Sequence, residues 1–307
     1  MPVVRINADH ALPQHLWQVA ADLPAEAPIV VMIHGYRYSP SQPAHDPHRH
    51  ILSLDPDPRQ RRATSWPRAL GFGGAHPQDG LAIAFGWEAR GTLRGAYRRA
   101  GLAGRSLSGL VDRLAHASGR PVAVISHSLG ARVALTALRE AVCGTIGRMI
   151  LLTGAEFRDE AARTLASAAG RQAEVINITS RENDLFDFAL EQWLSLGRRQ
   201  ALGFGLNRPT RNWVDMQIDE GETLAALERL GFPTERHPRR LSHWTPYLRR
   251  GLFDFYRTAL FQPWALPMGL LHARLPGRIE PRWSRLLSRP GQMGAAAAKA
   301  DVRLHAG

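Results

Sequence analysis

The most constraining feature of this chain is an abrupt change from strand to helix in VAVISHSLGARVAL, residues 122–135. Four residues with strand preference lead into Ser126-His127-Ser128-Leu129-Gly130, and a helical pattern rich in alanine and leucine follows at once. A serine on such a turn holds its Oγ clear of the sheet, and the helix N-terminus behind it offers amide hydrogens to a developing anion. Small residues are required two positions before and after that serine, because the turn presses their backbone against neighbouring segments. The pattern therefore indicates Ser128 as a candidate nucleophile.

Apolar, β-branched runs recur along the chain, with helical patterns between them. Short, nearly continuous apolar strands are typical of a parallel sheet that is buried on both faces. The alternation of strand and helix predicts an α/β fold with a mostly parallel central sheet, helices on both faces and a site at the carboxyl ends of the strands. The runs span residues 28–34, 81–87, 121–127, 148–154, 173–180 and 212–219.

Two segments interrupt this alternation within a chain of 307 residues, which is long enough for one large domain. The segment 38–80 is dense in proline, histidine, aspartate and glycine, which predicts a lid-like insertion. Residues 262–307 form a basic extension with proline, tryptophan and arginine. We expect the early part of this extension to pack on the core or at an interface, and its end to be flexible. Residues 1–261 are thus predicted to form a single α/β domain.

The single cysteine, Cys143, excludes an intramolecular disulfide framework and fits a reducing compartment. It lies in a helical pattern, so we expect a buried structural thiol. The amino terminus lacks the pattern of a signal peptide, and no apolar run approaches the roughly 18 residues that would span a bilayer. These observations predict a soluble, cytoplasmic protein.

The formal charge of +12 raises the question of a polyanionic partner. Lys299 is the only lysine, and the arginines are mostly scattered, which favours a solvated basic face over a nucleic-acid surface. We therefore expect no nucleic-acid partner. The arginines and tryptophans of the C-terminal extension leave open a weak association with anionic membranes. The sequence does not predict the oligomeric state.

Residues 126–130 resemble the nucleophile elbow of the α/β-hydrolase superfamily, usually written GxSxG, with Ser126 in place of the first glycine. Further motifs of that superfamily follow in the same chain order. His34-Gly35-Tyr36 ends the strand that the superfamily counts as third, Asp184 follows the strand two beyond the elbow strand, and His243 lies in LSHWTPY beyond the last run. The order Ser, Asp, His is the one that the superfamily uses. The resemblance extends from Pro28 to Ala259 and is strongest to poorly characterised esterase- or lipase-like branches.

This resemblance implies a serine hydrolase that cleaves carboxylic esters through an acyl-enzyme intermediate. Ser128 would be the nucleophile, His243 the general base and Asp184 the acid that orients the histidine. The backbone amides of Tyr36 and Leu129 would form the oxyanion hole. The implied substrate is a small-molecule or lipid-like ester, and neither a metal nor an organic cofactor is implied.

Alternatives remain open at the level of the sequence. Asp184 also suits a helix cap, and the other candidates for the acid are Asp187, Glu182 and Asp215. His237 and His272 compete with His243. His34 is expected to hold the loop after the third strand, and His127 is expected to be a pocket or packing residue. The spacing of His45, His48 and His50 matches no metal motif. Gly203-Phe204-Gly205 is interpreted as a connection and not as a dinucleotide loop. A thioesterase or acyltransferase would use the same triad, and a catalytically silent hydrolase-like binding protein would keep only the scaffold.

Overall fold

The computed structural model describes residues 3–60, 62, 64–74, 80–206, 210–236 and 241–287. Its centre is a seven-stranded sheet in the order β1-β3-β2-β4-β5-β6-β7, in which every neighbouring pair is parallel. All six predicted runs form strands. The additional strand, β1, lies at the edge of the sheet, where its exposed Arg5 obscures an apolar pattern. The strands are β1 (Val3–Asn7), β2 (Ile29–Ile33), β3 (Leu81–Gly86), β4 (Val122–His127), β5 (Ile146–Leu152), β6 (Glu174–Thr179) and β7 (Trp213–Gln217).

Helices connect most of the strands, and the longest of them, of 26 residues, links β3 to β4. A Thr92 side chain caps this helix at its N-terminus, and Gly119 ends it with a positive φ of 66°. The helices are α1 (His15–Ala21), α2 (Trp66–Ala69), α3 (Leu93–Ser118), α4 (Gly130–Glu140), α5 (Arg158–Ala166), α6 (Asp184–Ser195), α7 (Gly221–Arg229), α8 (Thr245–Leu248), α9 (Leu252–Phe261), α10 (Met268–Arg274) and α11 (Ser284–Leu287).

The sheet separates two hydrophobic layers, because side chains alternate between the faces of each strand. In β2, Val31 and Ile33 point to the layer formed with α1, α3, α4 and α5, whereas Val30 and Met32 point to the opposite layer. The second layer is completed by α2 and α7 to α10. The predicted α/β fold, with a central parallel sheet and helices on both faces, is confirmed.

The predicted insertion follows β2, which is the second strand in chain order. Its described part contains two 3₁₀ turns, at Pro43–His45 and Pro47–Arg49, and the short helix α2. Large apolar side chains of this segment are almost completely buried in the second hydrophobic layer, namely Ile51, Leu52, Trp66, Leu70 and Phe72. The described part of the insertion therefore contributes to the core on one face of the sheet.

The described part of the C-terminal extension also packs on the core, as expected for its early residues. Four of its apolar side chains are buried in the second layer: Leu266, Met268, Leu271 and Leu275. Farther along, Arg285 binds Asp219 after β7, with 2.7 Å between Nε and Oδ2. The flexible end that the sequence predicts lies outside the described residues from 288 onward.

The expectation that Cys143 is buried is wrong. Cys143 is exposed in the turn after α4, and its Sγ lies 3.3 Å from the carbonyl oxygen of Ala168. Val142 beside it is also exposed, because this turn lies beyond the last buried residue of α4. Among the helices of the described chain, none has the length and apolar character needed to cross a membrane.

Candidate active site

Ser128 occupies the sharp turn between β4 and α4. Its φ of +54° is a left-handed conformation that a non-glycine residue adopts only when the surrounding structure enforces it. The Ser128 amide donates to the carbonyl of Leu152 on the neighbouring strand, and its own carbonyl accepts from the amides of Ala131 and Ala155. The strained turn is therefore held from both sides, as the sequence pattern predicts.

Two glycines allow the loop after β2 to lie directly against this turn. A Cβ on Gly35 would lie 2.7 Å from Cβ of Ser128, and a Cβ on Gly130 would lie 2.6 Å from the carbonyl oxygen of His34. Both positions lack room for any side chain. The small residue required after Ser128 is thus explained by contact with the His34-Gly35 backbone.

The two amides expected to form an oxyanion hole flank this contact. Leu129 follows Ser128 at the start of α4, and Tyr36 follows Gly35. Within the described residues, neither amide hydrogen has an acceptor. The Tyr36 hydroxyl donates to the carbonyl of Gly91, which anchors the loop. Both amide hydrogens are therefore without an intramolecular acceptor in the described part of the chain.

His34 holds the backbone of the same loop, as expected for a structural residue. Its Nε2 accepts from the amide of Trp87 at 3.0 Å, so Nδ1 carries the hydrogen and donates to the carbonyl of Gly35 at 2.9 Å. Its ring also stacks on Trp87. Burial lowers the pKa of His34 from 6.5 to about 3, so the ring stays neutral.

His243 is held next to His127, the last residue of β4, by contacts of its backbone and of its ring. Nε2 of His127 donates to the His243 carbonyl at 3.0 Å, and the two rings lie 4.5 Å apart. Phe186 stacks on the other side of the His243 ring at 4.5 Å. The neighbouring amide of Ser242 donates to the carbonyl of Glu182. The segment between α7 and α8 is therefore held by the last residue of β4 and by the turn that follows β6.

Asn183 is the residue that contacts the His243 imidazole. Its Oδ1 lies 2.6 Å from Nδ1 of His243, and its Nδ2 donates to Oδ1 of Asp187 at 3.0 Å. An amide oxygen can only accept, so Nδ1 of His243 carries the hydrogen and Nε2 keeps a lone pair. This tautomer suits a general base.

Asp184, the expected acid, does not contact His243. Its Oδ2 accepts from the Trp283 amide, and its Oδ1 lies 3.2 Å from Nη1 of Arg181. Asn183 ends a 3₁₀ turn (Arg181–Asn183) and Asp184 begins α6, so their side chains diverge by roughly the 100° that separates successive helical residues. Burial raises the pKa of Asp184, and Arg181 opposes this increase. In the described structure the residue that hydrogen-bonds to the histidine is Asn183, and Asp184 is its neighbour in the chain.

The other candidate acids and bases are held elsewhere. Glu182 accepts from the Thr245 hydroxyl and from Arg249, and Asp215 accepts from the side chains of Asn177 and Trp213. Nε2 of His272 lies 3.3 Å from the carbonyl of Arg211. His237 lies outside the described residues. Asp187, by contrast, is linked to His243 through Asn183.

No hydrogen bond joins Ser128 to His243 in the described structure, although His127, the residue before Ser128, contacts the backbone and ring of His243. Ser128 Oγ has no hydrogen-bond partner within the described residues, whereas His243 is bound at Nδ1 and at its carbonyl. Catalytic hydrogen bonds are often long in ligand-free enzymes and shorten when substrate binds. Burial lowers the pKa of His243 well below 6.5, with further contributions from His127 and Arg62, so the imidazole is neutral.

The histidines of the insertion bind neighbouring side chains. Nε2 of His48 lies 2.8 Å from Oδ1 of Asn7, and Nδ1 of His50 lies 2.6 Å from the Tyr38 hydroxyl. Across the described ranges, no group of three His, Cys, Asp or Glu side chains could hold a metal ion. The connection containing Gly203 forms a 3₁₀ turn, Leu202–Phe204, next to Asp187.

The fold and this turn define the class of the protein: an α/β protein with a strained serine between a parallel strand and a helix. In a comparison with solved structures, the chain is similar to lipase B of Aspergillus fumigatus, with 14% identity, a TM-score of 0.40 and coverage of 94% of this chain and 68% of that chain. No protein-family model matches the chain, and no curated protein matches it. The function is therefore argued from the geometry of the site.

Proposed function

We propose that this protein is a serine hydrolase that cleaves carboxylic esters through an acyl-enzyme intermediate. Ser128 is the nucleophile, His243 the general base and Asn183 the residue that orients His243. Two observations support the proposal: Ser128 is strained, with φ of +54°, and the residue before it, His127, contacts a neutral histidine, His243, whose Nδ1 is bound by a side-chain oxygen.

A serine hydroxyl is a weak nucleophile at neutral pH and needs a base within hydrogen-bond reach. Nε2 of His243 takes the Ser128 proton as Oγ attacks the ester carbonyl carbon. The imidazolium then delivers this proton to the leaving alcohol as the tetrahedral intermediate collapses to the acyl-enzyme. Water, activated by the same nitrogen, hydrolyses the acyl-enzyme and regenerates Ser128.

The negative charge of the tetrahedral intermediate develops on the former carbonyl oxygen. The free amides of Tyr36 and Leu129 stabilise it, and each such donor is worth on the order of 3 kcal/mol in the transition state. The N-terminus of α4 adds favourable potential at the same place. Both amides belong to backbone segments that are held in place by other contacts. They therefore need no reorganisation during the reaction.

Asn183 fixes the tautomer and orientation of His243 but carries no charge. An ionised carboxylate would stabilise the imidazolium more strongly, because a charge-assisted hydrogen bond is roughly twice as strong as a neutral one. The proposed site therefore relies on orientation and on the oxyanion donors more than a site with a carboxylate in this position does. We expect turnover of activated esters to exceed turnover of esters with poor leaving groups.

The first experiment measures covalent labelling of the purified protein by a fluorophosphonate probe, together with hydrolysis of a series of p-nitrophenyl esters. Ser128→Ala should abolish labelling and lower kcat by at least about 10³-fold, because the nucleophile is lost. Ser126→Ala is the matched control. Ser126 lies two residues away, is fully buried and has no hydrogen-bond partner in the described structure, so this variant should keep labelling.

The outcomes separate the alternatives. Labelling that is lost only in Ser128→Ala supports the proposal, and the rate for each acyl chain length identifies the preferred ester. A thioesterase or acyltransferase would label in the same way but would turn over acyl-thioesters, or require an acceptor alcohol, in preference to simple hydrolysis. A folded wild-type protein that neither labels nor hydrolyses any ester would reject the proposal and favour a hydrolase-like binding protein.

A further inference from the structure

The geometry points to a further functional residue: we propose that Asp187 is a positioning residue for His243, acting through the side-chain amide of Asn183. Asp187 does not touch the imidazole. Its carboxyl group fixes which atom of the Asn183 amide faces the histidine. This inference rests on the proposed function, because it assigns a role within the same proposed site.

Asp187 is buried between Asn183 and Gly203. The residue is 2% exposed, and its Oδ1 accepts from Nδ2 of Asn183 at 3.0 Å. Its Oδ2 has no hydrogen-bond partner in the described structure, and a Cβ on Gly203 would lie 2.0 Å from that oxygen. Gly203 is therefore required for the carboxyl group to occupy this place.

The chemistry of the three groups explains why an amide lies between the carboxyl group and the imidazole. Asn183 accepts from Nδ1 of His243 with its oxygen and donates to Asp187 with its nitrogen. A carboxylate at position 183 could accept from the imidazole but could not donate to Asp187. Two adjacent buried carboxylates would also repel each other. The pair Asn183 and Asp187 thus supplies one complete hydrogen-bond chain.

Charged groups from three segments surround Asp187. Arg181 precedes Asn183 in the 3₁₀ turn, Asp184 lies on the same helix, and Arg282 comes from the C-terminal extension. Burial raises the pKa of Asp187 to about 7, while Arg181 and Arg282 lower it and Asp184 raises it. Either protonation state of Asp187 leaves a lone pair on Oδ1 for the Asn183 amide.

The test exchanges the side-chain amide of Asn183 and the carboxyl group of Asp187, singly and together. The labelling rate with the fluorophosphonate probe is measured against pH for the wild type, D187N, N183D and N183D/D187N. D187N should lower the rate about 10-fold at pH 8, because two amides leave the orientation of Asn183 unfixed. N183D should lower it by a similar factor, because one of two adjacent carboxyl groups must hold a proton.

The double variant restores a carboxyl group that faces His243 and an amide that donates to it. Its labelling rate should return to within about 3-fold of the wild type, a positive coupling between two contacting residues. Its acid limb should also move to higher pH than that of the wild type, because the new carboxylate at position 183 favours the imidazolium. A merely structural role for Asp187 predicts neither the recovery nor the direction of the shift.

The matched control is D215N. Asp215 accepts from the amide of buried Asn177 at 2.8 Å, which is the same type of pair without a contact to His243. D215N should therefore change thermal stability but keep the pH profile of labelling. The inference is overturned if D187N labels like the wild type, or if folded N183D/D187N labels no faster than the slower single variant. Absence of labelling in the wild type would instead reject the proposed function.

Discussion

Gly35 lies against Ser128 with no room for a side chain between the two backbones. A Cβ on Gly35 would come 2.7 Å from Cβ of Ser128 and 2.9 Å from the carbonyl oxygen of His127. These distances are shorter than carbon–carbon and carbon–oxygen contacts allow, and one of the atoms belongs to the backbone. The loop after β2 and the elbow after β4 are therefore fitted to each other, and any change at Gly35 must move one of them.

Gly35→Ala is expected to lower the fluorophosphonate labelling rate by at least about 100-fold, because displacement of the loop also moves an oxyanion donor, the Tyr36 amide. Gly109→Ala is the matched control. Gly109 is exposed on helix α3, and a Cβ there would meet nothing within 4 Å. The control should keep labelling and gain about 0.5–1 kcal/mol of stability from helix propensity. Equal labelling by Gly35→Ala and the wild type would contradict the fit between the two loops.

His127 is expected to support catalysis by holding the His243 backbone. Replacement by a side chain without a donor, in His127→Leu, should lower kcat about 10-fold with a smaller change in KM, because the His243 carbonyl loses the shorter of its two hydrogen bonds and keeps only the one from Thr153. His127→Gln can still donate and should recover most of the rate. Steady-state hydrolysis of a p-nitrophenyl ester measures both constants. Equal rates for the two variants would show that the hydrogen bond is not the relevant contact.

The same histidine should affect stability at low pH. Burial lowers its pKa from 6.5 to about 4, so below pH 6.5 the unfolded chain binds a proton that the folded protein does not. This group therefore destabilises the fold progressively as the pH falls. Relative to the wild type, His127→Gln should gain about 2 kcal/mol of unfolding free energy between pH 7 and pH 5, from about 1.4 kcal/mol per pH unit. Urea denaturation at both pH values measures this difference, and a difference that is constant with pH would refute it.

Substitutions at the adjacent residues Asn183 and Asp184 are expected to have different effects, on the labelling rate and on thermal stability respectively. Asn183→Leu removes the acceptor for Nδ1 of His243 and should lower the labelling rate about 10²- to 10⁴-fold. Asp184→Asn mainly removes contacts to Arg181 and Trp283, so its principal effect should be on thermal stability. Labelling rates and thermal unfolding of both variants provide the test. The opposite pattern would restore Asp184 as the acid that the sequence motif predicts.

The C-terminal extension should be required for folding. Leu271 is completely buried in the second hydrophobic layer, and Leu271→Ala should cost about 2–5 kcal/mol. Trp264, which is 66% exposed in the same segment, is the control, and Trp264→Ala should change stability by less than about 0.5 kcal/mol. Similar losses in the two variants would show that the packing of α10 is not as described.

The sequence predicted most of the architecture because apolar runs and turn chemistry are local properties of the chain. Six strands and the sharp turn at Ser128 follow from such patterns, whereas the loop at Gly35 was expected only from the resemblance to the α/β-hydrolase superfamily. The first strand escaped prediction because its edge position needs only one fully buried residue, Ile6. The burial of Cys143 was predicted wrongly because a helical pattern does not show where the last buried turn ends.

The partner of His243 depends on geometry that the sequence does not carry. Asn183 and Asp184 are adjacent in the sequence, and the transition from a 3₁₀ turn to α6 decides which of their side chains faces the histidine. A carboxylate is the usual partner of a catalytic histidine, which favours Asp184 over Asn183 when only the sequence is considered. Asn183 could have been found by asking which residue ends the turn after β6 and can accept a hydrogen bond.

The hydrogen bond between His127 and the His243 carbonyl joins two segments that are synthesised at different times. Ser128, Asn183 and His243 follow one another along the chain, and a ribosome synthesises the chain from the amino terminus at about 5–20 residues per second. A nascent chain thus contains Ser128 for several seconds before His243 is added. Incomplete chains that end between these two residues would hold the proposed nucleophile but lack the proposed base.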